Sequence, residues 1–383
     1  MASNPVVSDL IAKLAETAGT PLRRAKTMAP ELYHNRDLYE REIEQIFKRD
    51  WLCAGTANEI PNAGDYITFS IADQPIYIMR GSDEQIRAFS NVCLHRMMKL
   101  LDARRGSCRR IICPYHGWTY DNKGQLIGAG HMVQSDSFNK SEYKIPEVRL
   151  EIWEGWIYVT LDSSAASVAS QLAELHPVVA AYGMADYQPV AERDHVWQTN
   201  WKFLCENFME GYHLPVAHKA TVGAWFPAEE TRFPGQTFDA FTYQTFIKDE
   251  TATYGRAHPD NSRLKNEWRY TSIMPTIFPT HMYVLAPDHL WYLSLRPKNV
   301  SEVHVRFGAS LAPEVLNALG DRREAFIKDL VDFFDKVNDE DRFLVEGLQQ
   351  GSAGPLAAAG PLSWLERELH DFSRYLCRRL TAN

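Results

Sequence analysis

The chain has 383 residues, 45% of them apolar, and a net charge of −8. That is enough for two or three domains with sizeable cores, and the charge has the wrong sign for a nucleic-acid binder. Six cysteines in a chain of this length make no disulfide framework. No apolar run reaches the roughly 18 residues of a membrane span, and Met1-Ala2-Ser3-Asn4-Pro5 does not lead into a charged-then-apolar leader. A cytoplasmic protein with no membrane or nucleic-acid partner is expected.

Apolar spacing predicts helices over 8–19 and 37–50. From Asp65 to Leu161 the pattern turns to period two, with strands at 65–71, 75–80 and 152–161 and no helix required. Ser163 to Ser170 is a small-residue linker into a helix at 168–182. Strands follow at 193–199, 239–247, 267–275, 281–286, 290–296 and 302–311, framed by helices at 200–213 and 320–350. The fold class is α+β, a small antiparallel β domain followed by a helix-covered antiparallel sheet. Its divisions are an N-terminal helical segment at 1–39, a β domain at 40–160 and a second domain at 161–383.

Inside the β block stands Cys93-Leu94-His95, then Cys113-Pro114-Tyr115-His116. Two thiolates and two imidazoles form the ligand set of a Rieske [2Fe–2S] centre. Structural zinc accepts the same set and is the competing reading, but zinc knuckles usually group the two cysteines apart from the two histidines. Here each loop supplies one of each. Cys108, in the basic run 104–110, is read as a bystander thiol, and Cys53, Cys205 and Cys377 as small core residues. The basic run itself is a solvated turn or a dock for an acidic electron donor.

Helix 200–213 carries Glu206, Asn207, Glu210 and His213, and Pro215 is expected to end it so that His218 curls back toward His213. Two imidazoles and one carboxylate make the facial triad of a non-haem Fe(II) site, although hydrogen-bonded histidines alone give the same spacing. The carboxylate is sought on the 320–350 helix. Phe334, Val337, Asp341, Leu344, Val345 and Leu348 share one stripe, and Asp335, Asp339, Arg342 and Glu346 another. Asp341 is the acid out of place, since a buried charge is costly unless paired or metal-bound. Asp339 and Asp335 remain the alternatives.

On these motifs, from about Leu32 to Gln350, the chain resembles the catalytic α subunits of Rieske non-haem iron oxygenases. The resemblance implies a Rieske domain followed by a helix-grip (START-like) catalytic domain. It places Cys93, His95, Cys113 and His116 on the [2Fe–2S] cluster and His213, His218 and Asp341 on a mononuclear Fe(II), with O2 as co-substrate. Glu210 matches an acid that links a cluster histidine of the neighbouring subunit to an iron histidine, giving a path from His116 through Glu210 to His213 across a homotrimer. Asn207 matches an Asn near the iron. Many members carry Asp where this chain has Glu210, and the Glu resembles the branch acting on quaternary ammonium compounds.

The chain has no dinucleotide fingerprint and no plant-type cluster motif. An NAD(P)H-dependent reductase, with or without a ferredoxin, must therefore supply the electrons. The expected function is the terminal oxygenase of such a system, hydroxylating, dihydroxylating or demethylating an aromatic or quaternary ammonium compound. A Rieske electron carrier or ligand-binding protein is the alternative. Pocket candidates are Trp225, Phe226, Tyr254, Trp268, Tyr270, His281, Tyr283, His289 and Trp291.

Overall fold

A computed structural model describes residues 4–224, 226, 228–248, 250–251 and 254–382. The pocket candidate Trp225 lies outside them. The chain divides into two compact units, one of residues 47–168 and one of residues 1–46 with 169–383.

In the smaller unit, five strands come first: β1 (Leu52–Thr56), β2 (Asp65–Ile71), β3 (Gln74–Arg80), β4 (Ile86–Ser90) and β5 (Arg105–Ser107). β6 (Ile111–Ile112), β7 (Thr119–Tyr120) and β8 (Leu126–Gly128) form a small sheet of their own. β9 (Glu147–Trp153) and β10 (Trp156–Thr160) complete the larger sheet, ordered β1-β10-β9-β4-β3-β2-β5. The sequence reading made 152–161 one strand. It is instead the tip and return of a hairpin, turned at Glu154 and Gly155 with φ of 50° and 83°. Two consecutive left-handed residues make the tight turn that matches strand twist, and Gly at the second supplies the conformation cheaply. Tyr66, Tyr77, Phe89, Cys93, Cys113, Trp118 and Tyr120 are buried in a single core, so the ligand loops are anchored by it.

The larger unit begins with α1 (Pro5–Gly19), α2 (Glu31–His34) and α3 (Arg36–Glu42), which widens into a π turn over Ile43–Phe47. The expected helix at 168–182 is broken into α4 (Val168–Gln171), α5 (His176–Val179) and a 3-10 turn, since Pro177 forces a fresh helix start. One antiparallel sheet of seven strands follows. Its strands are β11 (Gln188–Trp197), β12 (Thr231–Arg232), β13 (Phe241–Ile247), β14 (Thr271–Ile277), β15 (His281–Leu285), β16 (His289–Asn299) and β17 (Glu302–Leu311). α6 (Trp201–Met209) and α7 (Leu214–Ala217) interrupt the strands, and α6 contacts β14, β15 and β16.

After the last strand come α8 (Pro313–Leu319), the 30-residue α9 (Arg323–Ser352) and α10 (Arg367–Thr381). α10, which the sequence reading missed, packs on α1 and β13. Charges on its buried face hid it: Glu368, His370 and Asp371 are buried beside Leu369, Phe372 and Leu376. On α9 the buried stripe runs Val331, Phe334, Val337, Asn338 and Val345, with Asp341 in line. Leu348, expected in that stripe, is 48% exposed, so the buried face ends one turn after the acid.

Candidate functional site

The two cysteine–histidine loops are copies of one turn. Cys93 N–H donates to Met98 O at 2.8 Å and Met97 N–H to Cys93 O at 3.0 Å; Cys113 N–H donates to Trp118 O at 2.8 Å and Gly117 N–H to Cys113 O at 3.0 Å. The fifth residue of each turn is left-handed, Met97 at φ 57° and Gly117 at φ 71°. The thiols of Cys93 and Cys113 lie within reach of each other and are buried. The rings of His95 and His116 meet edge-on at 4.6 Å. His95 stacks on Trp118 at 4.9 Å, and its buried Nδ1 has no hydrogen-bond partner.

Such an orphaned nitrogen costs free energy unless something binds it. Paired thiols on one side and paired imidazoles on the other suit a two-iron unit with one thiolate pair and one imidazole pair. His116 is exposed at the rim, and Arg96 bridges the loops through the Tyr115 hydroxyl at 3.1 Å.

Sequence reasoning missed Tyr120. Its hydroxyl accepts Leu94 N–H at 3.1 Å and lies 3.3 Å from Cys93 Sγ, so its own proton is left to donate to sulfur. Hydrogen bonds to cluster sulfurs raise the reduction potential. Tyr120→Phe is expected to lower the midpoint potential by about 40–60 mV, the one-electron equivalent of a hydrogen bond of about 1–1.5 kcal/mol. Protein-film voltammetry measures it, and an unchanged potential refutes it.

The second donor set sits where α6 ends. The expected helix to 213 stops at Met209, because Glu210 turns extended at φ −123° and ψ 151°. Its carboxylate curls forward, accepting the N–H of Tyr212 and of His213, the latter at 3.1 Å, and meeting His213 Nδ1 at 2.5 Å. Pro215 does not end the long helix as expected; it starts α7, and His218 caps that turn. Gly223 N–H then closes onto His218 O at 2.9 Å, where a Cβ would come within 2.5 Å of Leu214 O.

His218 has its own carboxylate. Its Nδ1 meets Glu340 Oε2 at 2.6 Å, which also accepts the Thr221 hydroxyl at 2.6 Å. The sequence reading considered Asp335, Asp339 and Asp341 and passed over Glu340. Both imidazoles thus give Nδ1–H to a glutamate and turn Nε2 toward Asp341 Oδ1, at 3.7 Å from His213 and 3.0 Å from His218. With Nδ1 protonated, each Nε2 keeps a lone pair for a metal. Among the described residues, His213, His218 and Asp341 form a group of three donor atoms within 4.8 Å of one another. The donor set fits a facial triad with open positions.

Without metal the set is an ion cluster. Burial alone would lower the His213 pKa, but hydrogen bonds donated by its ring to the Asp341 and Glu210 carboxylates override it and carry it up to about 10. Burial would raise Asp341, and the two histidines hold it below the ordinary carboxylate value. At neutral pH a metal must therefore displace the His213 proton. Apparent iron affinity is expected to rise about tenfold per pH unit between pH 6 and 8 for that proton, with proton release seen by calorimetry in two buffers. A pH-independent affinity contradicts it.

Replacing Glu340 by Gln is expected to weaken iron retention about 10–100-fold, measured by dialysis against a chelator, with exposed Asp339→Asn as the neutral control.

A small cavity of ≈ 30 Å³ adjoins the triad, lined by Asn207, Phe208, Phe226, Met274 and Trp291 among others. It has room for about two waters. Of the aromatic candidates, Phe226 and Trp291 reach it, whereas Tyr254, Trp268, Tyr270, His281, Tyr283 and His289 do not. His281 and Tyr283 are core residues on the other side of β15 from Val284, which does line the cavity. Asn207, Glu210 and His213 also line a larger open cavity of ≈ 680 Å³, together with Glu206 and Phe343.

The model of the ring hydroxylating alpha subunit (catalytic domain) matches residues 184–382, over half of the chain, and the Rieske [2Fe-2S] domain matches residues 50–141. The chain belongs to the ring-hydroxylating alpha-subunit family. That membership brings a [2Fe–2S] cluster in the first domain and a mononuclear iron in the second.

Among curated relatives, the glycine betaine monooxygenase oxygenase subunit of Chromohalobacter salexigens is 31% identical over 60% of this chain and 52% of its own length. The carnitine monooxygenase oxygenase subunit of Escherichia coli is 33% identical over 51% of this chain and 53% of its own. The matches therefore span about half the length of these relatives. In fold, the naphthalene 1,2-dioxygenase of Rhodococcus superposes with a TM-score of 0.83 at 20% identity, covering 99% of both chains. No helix among the described residues is long and apolar enough to cross a membrane.

Proposed function

We propose that this protein is the terminal oxygenase of a multicomponent Rieske system, acting on a small quaternary ammonium or aromatic compound. The observation that carries it is the matched orientation of two imidazoles, each tied through Nδ1 to its own glutamate and aimed through Nε2 at Asp341. The overall reaction for a hydroxylation takes RH, O2, two electrons and two protons to ROH and water. Cys93, His95, Cys113 and His116 hold the cluster, and His213, His218 and Asp341 hold the iron. When bound, the cluster supplies one-electron storage and the iron supplies O2 activation.

The chain's own groups do the rest. Glu210 fixes the His213 tautomer and is poised to take or return the Nδ1 proton. Asn207 and the aromatic wall of Phe208, Phe226 and Trp291 orient the reacting end of the substrate at the triad and leave room for only about two waters beside it. Glu210 and His213 also face the open cavity, whose rim carries Phe343, 78% exposed. The exposed rim of a second copy's cluster loops, His116 and Tyr115, is the docking partner we assign to it, in a homotrimer. A separate NAD(P)H-dependent reductase is the electron source.

The test is metal content with coupled turnover. An oxygenase holds about three irons per chain, two in the cluster and one at the triad, and consumes O2 with reductase and a substrate. A carrier that lost the second site holds about two and consumes none.

A further inference from the structure

The sheet that backs the iron cavity carries a buried cation that the oxygenase reading does not use. Met274, Val284 and Trp291 line the cavity from neighbouring strands β14, β15 and β16. Val284 is paired with Trp291, and Phe246 of β13 is paired with Ser272 of β14. Ser272 is two residues before Met274 and Lys248 two residues after Phe246. Strand side chains alternate, so Ser272 extends the same face by one row and Lys248, whose backbone N–H pairs with Tyr270 O, by two, roughly 7 and 14 Å along the strands, and the long lysine side chain leans back to Ser272.

Lys248 is 7% exposed. Its Nζ donates to Ser272 Oγ at 2.9 Å and lies 5.2 Å from the ring centroids of both Phe226 and Tyr254. Phe226 is itself part of the cavity wall. Room for the ammonium is built in: a Cβ on Gly255, at φ +61°, would come within 1.9 Å of Nζ. Asp288 acts on Lys248 electrostatically, but its carboxylate is engaged by His289 Nδ1 at 2.7 Å and Gly255 N–H at 2.8 Å. Among the described residues, Lys248 makes its hydrogen bond to Ser272 and pairs with no carboxylate within 4 Å.

Burying an ammonium with one neutral hydrogen bond costs stability, and a plain apolar side chain there would cost none. Burial pushes its pKa down to about 8, which still leaves it mostly charged at neutral pH. The aromatic faces of Phe226 and Tyr254 are taken by the chain's own ammonium, so a trimethylammonium group cannot use them.

We propose that Lys248 is a specificity-determining anchor for a carboxylate at the end of the substrate remote from the oxidised carbon, with the Ser272 hydroxyl beside it. The cationic or aromatic end then faces Phe208 and Trp291 near the triad. The proposal rests on the oxygenase reading for the identity of the cavity. It selects carboxylate-bearing compounds, betaines or aromatic acids, over choline-like alcohols and plain arenes.

Equilibrium binding to the metal-loaded protein, without reductase or O2, tests it with two pairs of probes: carnitine and its carboxamide, and benzoate and benzamide. In one pair the acid is expected to bind at least about tenfold tighter than the amide, the scale of one charge-assisted contact. Lys248→Met should bring that ratio to about one, with a melting temperature unchanged or higher, and Lys248→Arg should keep a preference for the acid. Which pair responds separates a betaine from an aromatic acid. Equal binding of acid and amide by the wild type, or a ratio that survives Lys248→Met, overturns the proposal, and the wild-type ratio decides if the variant does not fold. Since no turnover is involved, absent O2 consumption counts against the oxygenase reading alone.

Discussion

Glu210→Gln is expected to keep about three irons per chain yet slow coupled O2 consumption by at least about 10–100-fold. The reason lies in how the two carboxylate oxygens are used. Oε2 accepts backbone N–H groups of Tyr212 and His213, while Oε1 meets His213 Nδ1 at 2.5 Å. All of its partners are donors. A glutamine offers one oxygen and one NH2, so either the turn or the imidazole loses its acceptor and faces a second donor. Iron at Nε2 requires the proton on Nδ1, so the amide oxygen goes there and the turn pays. The negative charge beside His213 disappears as well, and with it the proton acceptor on the assigned path from the neighbouring His116. Pre-reduced protein mixed with O2 and substrate should reoxidise its cluster slowly, while reduction by the reductase stays normal. Glu210→Asp restores a carboxylate and should recover much of the rate. Normal product formation per NADH in Glu210→Gln would sink the assignment.

The sequence exposed some parts of this site and hid others, for physical reasons. The paired Cys–His turns were legible because residue identity and spacing are set by covalent connectivity, and the turn Cys-x-His or Cys-x-x-His closes within six residues. Six of the seven strands of the second sheet were legible, although β11 starts five residues before and β14 four residues after its expected position, and the two-residue β12 is too short to carry a pattern. The end of α6 was not legible. A side-chain carboxylate capturing two downstream N–H groups, and not Pro215, turns the chain out of the helix. Glu340 was invisible because its role is tertiary: it lies half-buried at the edge of the α9 stripe and finds His218 from 122 residues away. Lys248 was hidden in the same way. At the end of a strand a lysine reads as a solvated edge residue, and only Gly255 and the rings around it show that it is enclosed.

Asp341→Ala is expected to remove the mononuclear iron completely, taking iron from about three to about two per chain with the cluster spectrum unchanged. Coupled O2 consumption should fall below detection. No other acid can take over: Glu340 is held on the Nδ1 side of His218, and Glu210 on the Nδ1 side of His213. The rest of the α9 face at this level is Phe334, Val337, Asn338 and Val345, which offer no carboxylate. Loss of one anionic ligand from a three-donor set also leaves two imidazoles that repel each other when protonated, as His218 already feels His213. Both histidine pKa values should fall in the variant, since Asp341 raises each of them. NMR titration of the metal-free protein reads this out independently of activity. Asp335→Ala and Asp339→Ala, on half-buried and exposed positions of α9, should retain three irons and turnover. Iron kept by Asp341→Ala but lost by either of these would move the third ligand to that residue, and with it the facial arrangement that the two glutamates set up.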